Sequence, residues 1–154
     1  MPDASTARAV FDHAGVSVSD LERSRLFYAS VLGFDIVEDE FSFPEHQLRG
    51  LVLRNAMGTR VELFCRRGSA PTGPHHPLES TRRQGWFQFA LTVPDIQATY
   101  AATVKAGATP LLEPSVAPDG ISQVAFVGDP DGHLVEFLQR SSVPEEPSSV
   151  PEES

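Results

Sequence analysis

Four side chains that can do chemistry stand at matching places in two halves of the chain: His13 and Glu62 in the first, Gln88 and Glu136 in the second. The step from His13 to Glu62 is 49 residues, and that from Gln88 to Glu136 is 48. One imidazole nitrogen, one amide oxygen and two carboxylates make an oxygen-leaning donor set, suited to a single divalent ion (Zn, Ni, Co, Mn or Fe(II)) rather than a soft one. Two carboxylates also balance a 2+ charge, and positions remain open for water or substrate. Each glutamate lies among large apolar neighbours, in Val61-Glu62-Leu63-Phe64 and Val135-Glu136-Phe137-Leu138. A carboxylate there is costly unless it has a charged partner or faces a wet cavity. Taken singly, each residue has a bland reading as a solvated or structural side chain. Their registration across a repeat is what singles them out.

The repeat runs from about Phe11 to Cys65 and again from about Trp86 to Gln139, offset by 74 to 75 residues. His13-Ala-Gly-Val-Ser-Val-Ser-Asp20-Leu and Gln88-Phe-Ala-Leu-Thr-Val-Pro-Asp95-Ile share one pattern, a strand running into a helix start. Successive strand side chains point to opposite faces, so Ala14, Val16 and Val18 oppose His13, Gly15 and Ser17. Likewise Phe87, Phe89, Leu91 and Val93 oppose Gln88, Ala90 and Thr92. Each strand packs one side on a helix and turns the other to a roomy polar space.

Ser19 with Glu22 reads as a capping box, followed by apolar residues at helical spacing until Gly33. The twin helix starts near Asp95, with Ile96, Tyr100 and Val104 as its stripe, and ends at Gly107. Three strands follow in each half: near 35–38, 48–54 and 60–65, then near 110–113, 122–127 and 134–139. Asn55-Ala-Met-Gly58 and Gly128-Asp-Pro-Asp-Gly132 are their turns. The expected fold is α+β, two tandem βαβββ modules at 11–66 and 85–140 forming a cup-shaped mixed sheet. An extension (1–10), a Gly- and Pro-rich irregular linker (67–84) and a flexible Ser/Pro/Glu tail (141–154), itself a seven-residue duplication, complete the chain.

A formal charge of −9 argues against nucleic-acid or anionic-membrane partners, which need neutralising Lys and Arg. No stretch of 18 apolar residues occurs, and Cys65 is the only cysteine, so a soluble cytoplasmic protein is expected. Ser17, Thr92, Arg60 and Phe64 share faces with the four donors and are candidate pocket residues. His133 falls on the face opposite Glu136 and is excluded as a ligand. Arg66, Arg67, His75, His76, Arg82 and Arg83 could meet an anionic substrate tail, although a solvated loop is the simpler account.

The chain resembles the vicinal oxygen chelate superfamily (the glyoxalase, bleomycin resistance protein and dioxygenase family) from about Phe11 to Gln139. The resemblance is carried by the first-strand motif, by Arg23-Ser-Arg-Leu-Phe-Tyr-Ala-Ser-Val-Leu-Gly-Phe34, and by Phe126-Val-Gly-Asp-Pro-Asp-Gly-His-Leu-Val-Glu136. It implies metal positions at the start of the first strand and in the last strand of each module, here His13, Glu62, Gln88 and Glu136. The ligand inventory is similar to that of glyoxalase I, with His and Gln exchanged between modules relative to its longer form. The resemblance further implies a metal-dependent lyase or isomerase moving a proton next to a carbonyl of a small molecule. Glu136 is then the base and Glu62 the second acid/base group, in a homodimer whose site lies within one chain or across two. Alternatives are an epimerase or specialised-metabolism enzyme of the family, or a metal-free drug- or metabolite-binding protein. The absence of a second His at a ligand position disfavours extradiol oxygenase chemistry.

Overall fold

The computed structural model describes residues 9–71 and 75–141. The duplicated tail and most of the N-terminal extension lie outside the described residues. The first module comprises β1 (His13–Ser17), α1 (Leu21–Ser30), β2 (Ile36–Phe43), β3 (Leu48–Arg54) and β4 (Arg60–Arg66). The second comprises β5 (Gln88–Thr92), α2 (Ile96–Lys105), β6 (Thr109–Val116), β7 (Gln123–Gly128) and β8 (Leu134–Gln139). Each module forms its own four-stranded mixed sheet, ordered β1-β4-β3-β2 and β5-β8-β7-β6. The first strand of each module is therefore an edge strand, parallel to the last strand of its module.

Helices begin and end where local chemistry dictates, with one correction. The α1 N-cap is Asp20, whose carboxylate accepts from the Arg23 N–H, and Asp95 does the same for α2 with Ala98. Ser19 is not the cap. Its hydroxyl and N–H both donate to Asp131 of the second module, an acceptor no local pattern could reveal. Past the C-termini, Gly33 and Gly107 take φ of 78° and 112°, a conformation that side chains resist.

β2 and β6 run longer than the apolar patterning indicates, because each carries a register shift that disrupts strict alternation. The linker is not wholly irregular, since Glu79–Arg82 forms a short 3-10 turn.

The apolar faces of both sheets and both helices meet in one core shared by the modules, including Tyr28, Phe34, Leu51, Leu63, Ile96 and Phe137. Tyr28 is fully buried, stacks on Phe89 and donates its hydroxyl to Asp129 at 3.0 Å. Asp129 is itself buried and accepts from the N–H groups of Asp131 and His133, which shapes the turn before β8. Asp131 accepts from Arg23 at 3.0 Å, adding an ion pair across the seam. His133, two residues on, meets the Ser17 carbonyl through Nε2 at 2.8 Å. Burial and the adjacent Asp129 push the Tyr28 phenol well above its usual range, so it remains a neutral donor.

Tyr28→Phe removes the side-chain hydrogen bond to Asp129 across this buried seam while keeping the ring. Urea unfolding should show a loss of about 2 kcal/mol, the scale of a buried hydrogen bond to a charged acceptor; an unchanged midpoint would remove this bond from the stabilising set.

Candidate functional site

The edge pairing of each module sets the geometry. Parallel registration places Gly15 opposite Glu62 and Ala90 opposite Glu136. With little or no side chain at those positions, the residue two places earlier can lean diagonally across to the carboxylate. His13 Nε2 accordingly lies 2.9 Å from Glu62 Oε2. In the second module Gln88 Nε2 donates to Glu136 Oε2 at 2.6 Å. The two pairs occupy equivalent places on their own sheets, as the spacing predicts. Among the described residues no three His, Cys, Asp or Glu side chains gather into a metal-holding group. Within one chain, then, the structure brings the four donors together as two pairs.

The local electrostatics of the pairs differ. Asp12, a residue the spacing did not single out, lies 2.7 Å from His13 Nδ1. This bond raises the imidazole above its ordinary pKa, with Glu62 adding to the effect against the cost of burial. The same bond lowers the Asp12 carboxyl. With Nδ1 given to Asp12, Nε2 is the nitrogen left to face Glu62. The available signal for Asp12 was adjacency of a carboxylate to a candidate His ligand, a pairing that fixes the tautomer of metal-bound imidazoles.

Glu136 is pushed above the normal glutamate range by burial, only partly offset by Arg140. Its cross-strand neighbour is the buried Phe126, which withholds water from the ionised form. The donor chemistry of both pairs fits a divalent ion: an imidazole nitrogen oriented by a carboxylate, an amide oxygen and two glutamates on accessible faces.

Of the pocket candidates, Arg60 is committed. Its guanidinium grips Glu38 at 2.6 and 3.0 Å, and Arg54 holds the same carboxylate at 3.0 Å. Phe64 does lie on the Glu62 face, packed edge-on to Phe41. Ser17 and Thr92 are exposed on the expected faces. His133 stays away from Glu136 and packs against His75 of the linker, ring centroids 5.2 Å apart. Burial and the His133 charge lower the His75 pKa. His75 thus belongs to the module seam rather than to a solvated loop.

The model of the Glyoxalase/Bleomycin resistance protein/Dioxygenase superfamily matches residues 10–137, and the chain belongs to that family. A lactoylglutathione lyase of Pseudomonas aeruginosa is 30% identical over 157 residues, covering 91% of this chain and 88% of that one. The trypanothione-dependent glyoxalase I of Leishmania major superposes with a TM-score of 0.63 at 26% identity, covering 85% of this chain and 87% of that one. A glyoxalase family protein of Enterococcus faecalis superposes with a TM-score of 0.73 at 23% identity, covering 86% and 98%, a likeness of fold alone. No helix among the described residues is long and apolar enough to cross a membrane.

The raised Glu136 pKa has a signed consequence for metal-free protein. The folded state holds this proton more tightly than the unfolded chain, so its contribution favours folding at low pH. That contribution is lost as pH rises from the unfolded glutamate value through the raised folded one. Carboxyl-carbon NMR should report a Glu136 midpoint above 4.5, the ordinary value. Glu136→Gln should flatten the pH dependence of stability over the same interval, and a midpoint at or below the ordinary value would contradict this assignment.

Proposed function

We propose that this protein is a metal-dependent lyase or isomerase of the glyoxalase I type, acting on a small molecule that presents two neighbouring oxygens, such as the adduct of a thiol with an α-oxoaldehyde. The observation that carries this reading is the paired donors, His13 with Glu62 and Gln88 with Glu136, repeated at equivalent sheet-edge positions of a glyoxalase-family fold. The similarity to lactoylglutathione lyases supports the substrate class. His13, Glu62, Gln88 and Glu136 are the residues that would hold the ion. The chemistry such an ion supplies when bound is Lewis acidity, stabilising negative charge on adjacent substrate oxygens.

The proton work falls to the chain itself. Glu136, half buried and more basic than an ordinary glutamate, takes the proton from the carbon beside the carbonyl. Glu62 serves the complementary acid/base role. Gln88, whose amide nitrogen donates to Glu136, keeps that carboxylate aimed and leaves its own amide oxygen for the ion. Asp12 accepts the Nδ1–H hydrogen bond of His13 and so presents Nε2. A second copy of the chain completes the site, with His13 and Glu62 of one protomer facing Gln88 and Glu136 of its partner. What supports this is that each pair sits beside an edge strand, preceded by the exposed aromatic residues Phe11 and Trp86. Large exposed rings next to an unpaired strand edge favour a protein contact.

Four measurements test the reading. Purified protein should hold about one divalent ion per chain, and Glu136→Gln should lower turnover of a hemithioacetal by at least about a hundredfold, the scale of a lost general base, while circular dichroism stays unchanged. Near-normal turnover would take Glu136 out of the base role. Asp12→Ala should weaken metal affinity by about tenfold, as loss of a carboxylate behind a His ligand does, in a competition titration against a chelator. For the shared site, His13→Ala and Glu136→Gln chains are each inactive, yet after unfolding and refolding together they should recover about a quarter of wild-type activity. Half of the dimers are then mixed, each with one intact site. No recovery would place all four donors within a single chain.

A further inference from the structure

A row of three aromatic rings leads away from Glu62 across the open face of the first sheet. Phe64 lies two residues along β4 from Glu62, so both side chains leave the same face. Across the sheet Phe64 registers with Gly50, and Gly50 with Phe41. The Phe41 ring lies 5.5 Å from Phe64 and 5.9 Å from Phe43, edge-on to both. Gly50 makes this arrangement possible: a Cβ there would come within 2.3 Å of Phe41 Cζ, so the ring rests directly on the glycine backbone. Phe64 in turn borders Gly15, 3.5 Å from where a Cβ would stand.

Two further features bear on what this platform can hold. Arg54 and Arg60, cations on the Glu62 face of the same sheet, are both committed to Glu38, while Arg66, two residues beyond Phe64 on β4, stands at the outer end of the ring layer. The matching ground in the second module is filled instead by its own small cluster of Ala117, Val124, Phe126, Leu111 and Leu138. Among the described residues, the edge-on layer of Phe41, Phe43 and Phe64 belongs to the first module, and its outer edge is open, since Phe43 is 44% exposed.

Resting on the proposed metal-site reading, we propose that Phe41, Phe43 and Phe64 form a substituent-binding platform. It selects substrates that carry an aromatic or bulky apolar group on the carbon next to the chelated oxygens. Aromatic surfaces gain both from leaving water and from offset or edge-on contact with further rings, and Phe64 lies two residues along β4 from Glu62, one of the residues that would hold the ion those oxygens meet.

The test uses zinc-loaded protein and two probes with the same vicinal oxygens, phenylglyoxylate and pyruvate, which differ in a phenyl against a methyl group. Calorimetric titration should show phenylglyoxylate binding about tenfold tighter, the scale of one well-packed aromatic contact. In Phe64→Leu and in Phe43→Leu, the latter at an exposed position that tolerates replacement, the ratio should fall to about threefold or less. Gly50→Ala, which drives the Phe41 ring off its seat, should lower it as well. In metal-free protein both probes weaken but the ratio persists, because the platform belongs to the chain. A wild-type ratio near one, or a ratio unmoved in variants that melt like the wild type, overturns the proposal while leaving the metal site intact. Protein that takes up no zinc yet keeps the phenyl preference would sink the metal reading and leave the platform standing.

Discussion

A parallel pairing at the sheet edge is the constraint on which the site depends. Because β1 runs beside β4 and β5 beside β8, a residue at the start of each first strand stands diagonally from a glutamate in the last strand. The position directly opposite each glutamate is Gly15 or Ala90, small enough to let the imidazole or the amide cross. A one-residue slip of either pairing would turn the glutamate into the apolar core, where an ionised carboxylate without a partner is untenable. The same apolar faces that make the core thereby hold the donor pairs on the open side.

The modules are equivalent in backbone and unequal in chemistry. The first carries a nitrogen donor oriented by Asp12, a committed Glu38–Arg54–Arg60 cluster and a layer of phenyl rings. The second carries a neutral amide and a glutamate whose ionisation is disfavoured by burial beside Phe126. Duplication supplies the paired geometry, and divergence separates the roles, leaving the glutamate raised by burial where proton transfer is proposed. Asp129 and Asp131 tie the turn before β8 to Tyr28, Ser19 and Arg23 of the first module. The strand that bears Glu136 is thus anchored to the opposite half of its own chain.

Local pattern alone determined much of this protein. Period-two alternation fixed which side of β1 and β5 faces the open space. The repeat fixed the pairing of His13 with Glu62 and of Gln88 with Glu136, and Gly33 and Gly107 fixed the helix ends. These features are encoded within a few residues or by internal symmetry, and so they survive translation into linear text. Tertiary structure decided what depends on partners distant in the chain. Ser19 answers to Asp131 rather than capping α1, Arg60 is held by Glu38, and His75 packs on His133 instead of lying in solvent. It also decided that the four donors stand in one chain as two pairs on two separate sheets. Spacing specifies how far along a strand a side chain lies, whereas the distance between two sheets is set by how their cores pack, which no periodicity records.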